Sequence, residues 1–210
     1  MGNKPSSGIT LDPSSAEEWV RLFPSQIRLI RHVWKHALAN GSTYPGQCVY
    51  NKLFAQSQEI ARIFEFGGSM SPHEYDRRMH KQFRNFTHAL DKIIRNLENP
   101  AQIDGYLRDL GARHVNFTNM GFQPYLWDVF CDSMVAVGVD WNANMGLSAS
   151  DIVETEEAWK QLVSYITRRM KDGYYEALNI KKQEDEFRAA EERSEENRVQ
   201  IADLEENEEN

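Results

Sequence analysis

Cysteine is scarce in this chain. Only Cys48 and Cys131 occur among the 210 residues, and two cysteines cannot build the disulfide framework that stabilises small secreted domains. The first residues also lack the charged and then apolar pattern of an export signal. We therefore expect a cytoplasmic protein whose two thiols are free and buried, with a regulatory disulfide as the alternative.

Long apolar runs and a surplus of basic residues are also missing. The most apolar stretch, around residues 134–139, is much shorter than the roughly 20 residues that span a bilayer. The formal net charge is −8, and residues 181–210 hold twelve acidic side chains against five basic ones. Nucleic-acid binding, which requires a basic surface, is therefore not expected.

What the chain does contain is a regular helical spacing of apolar residues. Apolar side chains recur every three or four positions, and no long window alternates with the period of a strand. Asn40-Gly41 and Pro100 mark breaks between the periodic segments, and Ser25 is placed to cap the first helix. The sequence predicts an all-α domain of six to eight helices.

The two ends of the chain differ in composition from its middle. Residues 1–21 are rich in Ser, Pro and Gly and predict a flexible arm, whereas residues 22–178 hold the periodic apolar pattern. Residues 179–210 keep only sparse apolar side chains among charges, too few for a coiled-coil seam. We expect an acidic, frayed helical extension that passes into disorder, with folding on a protein partner as the alternative.

His114 is the histidine with a context for metal binding among the six in the chain. It ends a short helix whose inward face carries Leu107 and Leu110, and Val115 and Phe117 follow it. An imidazole delivered from a helix end into an apolar pocket suits a transition-metal cofactor. The reason is that neutral imidazole binds iron well and the pocket excludes competing water.

The chain resembles the globin family, and within it the intracellular nematode globins that carry long terminal extensions. The resemblance covers residues 22–178 and rests on an ordered set of segments at globin-like spacing: residues 49–54, 59–64, 79–97 and 110–114. It implies a globin fold around a pocket for haem b (iron protoporphyrin). It also implies that dioxygen or another diatomic gas is the ligand.

Carried over position by position, the resemblance implies roles for five residues. His114 matches the proximal histidine that bonds the iron, and Phe64 matches the phenylalanine that packs flat on the haem. Counting back from His114 without gaps places Gln82 above the iron and Phe86 over the haem face. Tyr50 then faces the distal pocket, where it and Gln82 would hydrogen-bond dioxygen. The alternative for Tyr50 is a buried hydroxyl bonded to a backbone carbonyl.

A second alignment register makes His80 the distal residue. Its imidazole would then ligate the iron directly and give a six-coordinate haem. That register turns Lys81 and Arg84 toward the haem, and burying two unpaired cations costs several kcal/mol each. Gln82 is favoured for this reason, although a helical bulge would rescue His80.

Two functions follow from the resemblance. The first is reversible dioxygen binding for storage, transport or sensing. The second is a membrane-associated redox globin that transfers electrons, generates superoxide or oxidises nitric oxide. No dinucleotide-binding pattern follows the globin-like region, so we expect the redox function to need an external electron donor. A helical adaptor without haem is disfavoured because Phe64 and His114 are both present.

The first six residues match the pattern for N-myristoylation, in which Gly2 is acylated after Met1 is removed. One myristoyl chain binds membranes only marginally, so we expect partial, peripheral attachment at the inner face of the plasma membrane. Gly2→Ala should move a fluorescently tagged protein from the cell margin to the cytosol and leave the haem spectrum unchanged. A wild-type protein that is uniformly cytosolic, with an unmodified glycine by mass spectrometry, would contradict this.

Overall fold

The computed structural model describes residues 22–65 and 70–208, and its regular elements are all helical. The α-helices are α1 (Pro24–Leu38), α2 (Tyr44–Gln56), α3 (Gln58–Ile63), α4 (Pro72–Arg95), α5 (Pro100–Arg113), α6 (Leu126–Asp140) and α7 (Ala149–Glu208). A 3₁₀ helix, His114–Met120, joins α5 to α6. The prediction of an all-α domain with six to eight helices is confirmed. In the described ranges, no helix has the length and apolar character needed to cross a membrane.

Proline and serine set the starts of several helices. Helices α1, α4 and α5 each begin at a proline, whose fixed φ suits the first turn and whose missing N–H is not needed there. Ser57 and Ser71 precede α3 and α4, and each side-chain oxygen accepts a hydrogen bond from the backbone N–H three residues later. These caps satisfy N–H groups that would otherwise lack a partner.

The predicted cap of α1 is wrong. Because Pro24 begins the helix, the N-cap position falls on Phe23. The side-chain oxygen of Gln26 accepts a hydrogen bond from the Phe23 N–H at 2.9 Å. Ser25 lies inside the first turn, and its hydroxyl instead donates to the Glu154 carboxylate on α7 at 2.5 Å. The serine therefore joins two helices instead of capping one.

Helix α7 contributes several fully buried side chains to the core, among them Trp159, Leu162 and Val163. It packs against α1, α5 and α6, while α2 packs against α4 and α6. Trp159 on α7 is fully buried, and its ring centroid lies 5.8 Å from that of Trp141, which in turn lies 5.6 Å from Trp34. Trp141 therefore lies in the core directly after α6.

Glycines allow α5 and α7 to cross with their backbones in contact. A Cβ atom added at Gly111 on α5 would overlap the backbone of Met170, and one added at Gly173 on α7 would overlap the backbone of Arg108. The crossing is also held by an ion pair, since Arg169 Nε on α7 lies 2.6 Å from Asp104 Oδ1 on α5. The close approach fixes the end of α5, where His114 begins the 3₁₀ helix.

The acidic extension continues α7 as one helix through Glu208. From residue 178 to residue 198, nearly all of the described side chains are exposed. Local pairs such as Arg188 with Asp185, at 3.7 Å, and Arg198 with Glu195, at 3.6 Å, lie one turn apart and support the helical form. The described part of the extension is thus helical, whereas the predicted arm of residues 1–21 lies outside the described residues.

The α5–α7 crossing predicts opposite effects for two glycine substitutions on α5. Gly111→Ala should lower the free energy of unfolding by about 1–3 kcal/mol, because the added methyl meets the backbone of α7. Gly105 is exposed on the same helix, with nothing within 4 Å of an added Cβ. Gly105→Ala should therefore raise the free energy by about 0.5–1 kcal/mol, the usual helix-propensity gain. Urea unfolding measures both, and equal shifts would contradict the crossing.

Candidate functional site

A cavity of about 280 Å³ lies between the paired helices α2 and α4 and the ends of α5 and α6. Its walls are predominantly apolar and aromatic. Among the lining residues, those with polar side-chain groups are Tyr50, Gln82, Asn85, His114 and Trp127. A cavity of this character, with few polar groups that converge on it, is typical of a cofactor or small-ligand site.

His114 enters the cavity at the junction of α5 with the 3₁₀ helix. Its Nδ1 atom lies 2.8 Å from the carbonyl oxygen of Leu110. Because a carbonyl oxygen only accepts, Nδ1 must carry the proton and donate it, which leaves the lone pair of Nε2 free in the neutral ring. The His114 ring also contacts the rings of Phe117, Phe122 and Trp127, with centroid distances of 5.2 to 5.7 Å.

The surroundings of His114 favour its neutral form. Burial lowers the pKa of the imidazole, the hydrogen bond to Leu110 opposes this shift, and the charge of Arg113 adds to the lowering. Arg113 itself is exposed and donates from Nε to the carbonyl oxygen of Asp109 at 3.1 Å. A neutral imidazole with one unprotonated nitrogen is the form that ligates iron.

Tyr50 and Gln82 form a hydrogen-bonded pair in the same cavity. Gln82 Nε2 donates to the Tyr50 hydroxyl oxygen at 2.7 Å. In the described part of the chain, no group accepts the hydrogen of the Tyr50 hydroxyl, so the alternative of a bond to a backbone carbonyl is not found. The pair therefore orients a hydroxyl whose hydrogen remains available to a ligand in the cavity.

Aromatic packing isolates the Tyr50 hydroxyl from solvent. The Tyr50 side chain is 7% exposed, and its ring lies 5.2 to 5.9 Å from the rings of Phe54, Phe64, Phe83 and Phe86. Burial raises the pKa of Tyr50 to about 12, and the hydrogen bond from Gln82 partly opposes that rise. The phenol is therefore protonated, and able to donate, throughout the physiological range.

Phe64 and Phe86, the two predicted haem-packing residues, both line the cavity. Phe64 ends α3 and is half-buried. Phe86 lies on α4 one turn after Gln82, and its ring centroid is 6.0 Å from that of Phe130 on α6. His114, Tyr50 and Gln82 line it as well. The five residues predicted to bind haem and its ligand therefore surround one cavity.

His80 lies elsewhere on α4. It is exposed and packs its ring edge against Phe83 at a centroid distance of 6.0 Å, and it is not among the residues that line the cavity. Lys81 and Arg84 are exposed as well. The face of α4 that meets the cavity is the one that carries Gln82.

Sequence reasoning missed part of the wall around His114. The sequence predicts no role at the site for Trp127 or Phe122, yet both rings contact His114. Gly121 has a φ of 92°, a left-handed conformation that glycine adopts without strain, and it turns the chain back so that Phe122 is buried. A glycine directly before an isolated aromatic residue was the available signal.

Three other predicted features lie apart from the cavity or outside the description. Cys48 and Cys131 are both free and only half-buried. Burial raises the pKa of the Cys131 thiol. Gly2 lies outside the described residues.

Comparisons with known proteins agree with this arrangement. Residues 47–170 match the Globin family, more than half of the chain, and the protein belongs to that family. It is 30% identical over 156 residues to globin-related protein glb-13 of Caenorhabditis elegans. That alignment covers 74% of this chain and 53% of the relative, so the chain spans about half of the relative's length.

A solved structure shares the fold. It is the crystal structure at pH 4 of a hexacoordinated heme protein from an anhydrobiotic tardigrade, with a TM-score of 0.61 and 16% sequence identity. The match covers 74% of this chain and 97% of the tardigrade chain. Family membership and fold together identify the protein as a haem-binding globin.

The raised pKa of Tyr50 predicts a loss of stability at high pH. Below about pH 10 both the folded and the unfolded chain hold the phenolic proton. As the pH rises from about 10 to about 12, only the unfolded chain releases it, so the free energy of unfolding falls by up to roughly 3 kcal/mol. Urea unfolding of wild type and Tyr50→Phe across this range measures the difference.

The control for this titration is Tyr75→Phe, which removes a half-buried phenol outside the cavity and leaves Tyr50 intact. It should follow the pH dependence of the wild type. A Tyr50→Phe variant that loses stability as steeply as the wild type would show that Tyr50 does not retain its proton.

Proposed function

We propose that this globin binds dioxygen reversibly at a haem b whose iron is ligated by His114. One observation carries the proposal: the cavity that His114 lines also holds a Tyr50 hydroxyl that Gln82 orients, and in the described residues no group accepts the hydrogen of that hydroxyl. The donor pair is buried among apolar rings, so its hydrogen bonds are not weakened by water.

His114 has the protonation and orientation required of the proximal ligand. The hydrogen bond from Nδ1 to the Leu110 carbonyl fixes the tautomer, restrains rotation of the ring and increases the basicity of Nε2. Phe64 and Phe86 supply the apolar surfaces against which the porphyrin packs. These residues fit the haem that family membership implies.

The distal donors decide what the pocket does with its ligand. Haem iron, when present, supplies the binding position for dioxygen and shifts negative charge onto it, and the polarity of the distal pocket selects binding or activation. Hydrogen bonds from Tyr50 and Gln82 stabilise that charge where it develops. They also oppose release of superoxide, so they favour reversible binding over the redox alternative.

The choice of Gln82 over His80 as the distal residue rests on exposure. His80 would have to leave the surface and displace Gln82 from the cavity before its imidazole could reach the iron. Such a rotation of α4 would bring Lys81 and Arg84 toward the apolar cavity, which costs several kcal/mol for each unpaired cation. Gln82 would therefore face the ligand side of a bound haem, and His80 would remain at the surface.

Oxygen dissociation rates test the proposal. Tyr50→Phe and Gln82→Leu should each speed dissociation about 10-fold to 100-fold. A hydrogen bond to a charged acceptor is worth about 1.5–3 kcal/mol, and each 1.4 kcal/mol corresponds to a factor of ten. Stopped-flow mixing of the oxygenated protein with a competing ligand measures the rates.

Two further variants serve as controls. His80→Leu, on the exposed face of α4, should leave the rate unchanged, whereas His114→Ala should lose the wild-type ferrous spectrum. The proposal would be overturned in favour of the His80 register by two results together. Tyr50→Phe and Gln82→Leu would leave the dissociation rate unchanged, and His80→Leu would convert a six-coordinate ferrous spectrum to a five-coordinate one. A wild-type spectrum in His114→Ala would overturn the proximal assignment.

A further inference from the structure

A series of aromatic rings in contact leads from His114 to the protein surface. The ring centroid of Trp127 on α6 lies 5.3 Å from that of His114, and Tyr174 on α7 lies 5.6 Å from Trp127. Tyr175 continues the series at 5.5 Å from Tyr174. Trp127 and Tyr174 are buried, whereas Tyr175 is 55% exposed. The series therefore connects His114 to solvent through two buried rings.

The chemistry of these rings differs from that of the rings around Tyr50. Indole and phenol rings can each lose one electron to a strong oxidant, whereas phenylalanine resists oxidation. Tyr50 is surrounded by the rings of Phe54, Phe64, Phe83 and Phe86, so an electron vacancy on Tyr50 has no oxidisable neighbour among them. Beside His114, by contrast, each step toward the surface ends on an oxidisable ring.

Tyr175, at the exposed end of the series, is the ring that can lose both an electron and a proton. A phenol that loses an electron also loses its proton, and the proton needs an acceptor. The Tyr175 side chain faces solvent, which can take it, whereas burial and the neighbouring Tyr175 raise the pKa of Tyr174 and disfavour proton loss there. An electron vacancy that reaches α7 is thus trapped most easily on Tyr175.

We propose that Tyr175 is a surface oxidation site, at which small one-electron reductants of the phenol or ascorbate class are oxidised while hydrogen peroxide is reduced at the haem. Electrons move inward from Tyr175 through Tyr174 and Trp127. The proposal goes beyond dioxygen binding and rests on His114 as the haem ligand.

The electrons and protons of this reaction balance. Reduction of one hydrogen peroxide molecule consumes two electrons and two protons and yields two water molecules. Each electron is withdrawn from Tyr175 in a separate step, and the phenolic proton passes to solvent. A reductant molecule then returns one electron and one proton to the Tyr175 phenoxyl radical, so two reductant molecules are oxidised for each peroxide.

Radical trapping tests where the oxidation ends. The ferric, haem-loaded protein is treated with hydrogen peroxide and a nitroso spin trap, without reductant, and the adducts are mapped by peptide mass spectrometry. We expect the main adduct on Tyr175, and its loss in Tyr175→Phe. Tyr125→Phe is the matched control, because Tyr125 is 52% exposed and, among the described residues, makes no ring contact with the series. This control should leave the Tyr175 adduct unchanged.

The buried steps are tested by Trp127→Phe, which retains an aromatic ring but removes the oxidisable one. Labelling of Tyr175 should fall at least about tenfold, since a tenfold change in rate requires only about 1.4 kcal/mol of barrier. Tyr174→Phe should also lower the labelling of Tyr175, and it replaces Trp127→Phe as the test if the latter variant does not bind haem. The haem absorption spectrum of each variant shows whether haem is still ligated. Reduced labelling with a wild-type spectrum then reports a loss of electron transfer through Tyr174 and Trp127.

Three results would overturn the proposal. The first is a main adduct on Tyr125 or Tyr50 in the wild type. The second is undiminished Tyr175 labelling in both Trp127→Phe and Tyr174→Phe with wild-type haem spectra. The third is a Tyr175→Phe variant that oxidises a phenol with peroxide at the wild-type rate.

Discussion

The close crossing of α5 and α7 is the constraint on which the site depends. Because Gly111 meets the backbone of Met170 and Gly173 meets that of Arg108, neither helix can slide without a clash or a gap. This contact locks the last turn of α5, whose Leu110 carbonyl orients the His114 ring. The same crossing brings α7 near α6, so the rings of Tyr174 and Trp127 meet. The orientation of the His114 ring and the contact between Tyr174 and Trp127 thus both depend on the α5–α7 crossing.

The cavity combines a few polar groups with a large apolar surface, and its two central polar groups, His114 and Tyr50, are each held by a hydrogen bond. His114 is fixed by a backbone carbonyl and Tyr50 by Gln82. In an apolar surrounding, an unpaired polar group costs more than it does in water, but a paired one is held more firmly. The Tyr50 hydroxyl hydrogen is the exception in this pairing, and it is the group best placed to meet a ligand.

The helices could be predicted from the sequence, because an apolar spacing of three and four identifies both a helix and its inward face. The predicted cavity residues came instead from the resemblance to globins. The resemblance to globins placed Gln82 on the cavity side of α4, and the helical spacing agreed with that register, whereas His80 remained the alternative. The apolar spacing could not locate Trp141, which follows α6 and is buried by rings from α1 and α7. Nor could it show the contact between Trp127 and Tyr174, which depends on how two helices cross.

The length of α7 has an electrostatic consequence. At about 1.5 Å per residue, the helix beyond Leu178 extends roughly 45 Å, whereas charges in physiological salt are screened over about 8 Å. Most of the acidic residues in this extension are therefore several screening lengths from the haem cavity. A charged partner could bind at the far end of α7, or the acidic side chains there could be neutralised, without changing the electrostatic field in the cavity. Any effect of that end on the cavity would have to be transmitted by movement of the helix.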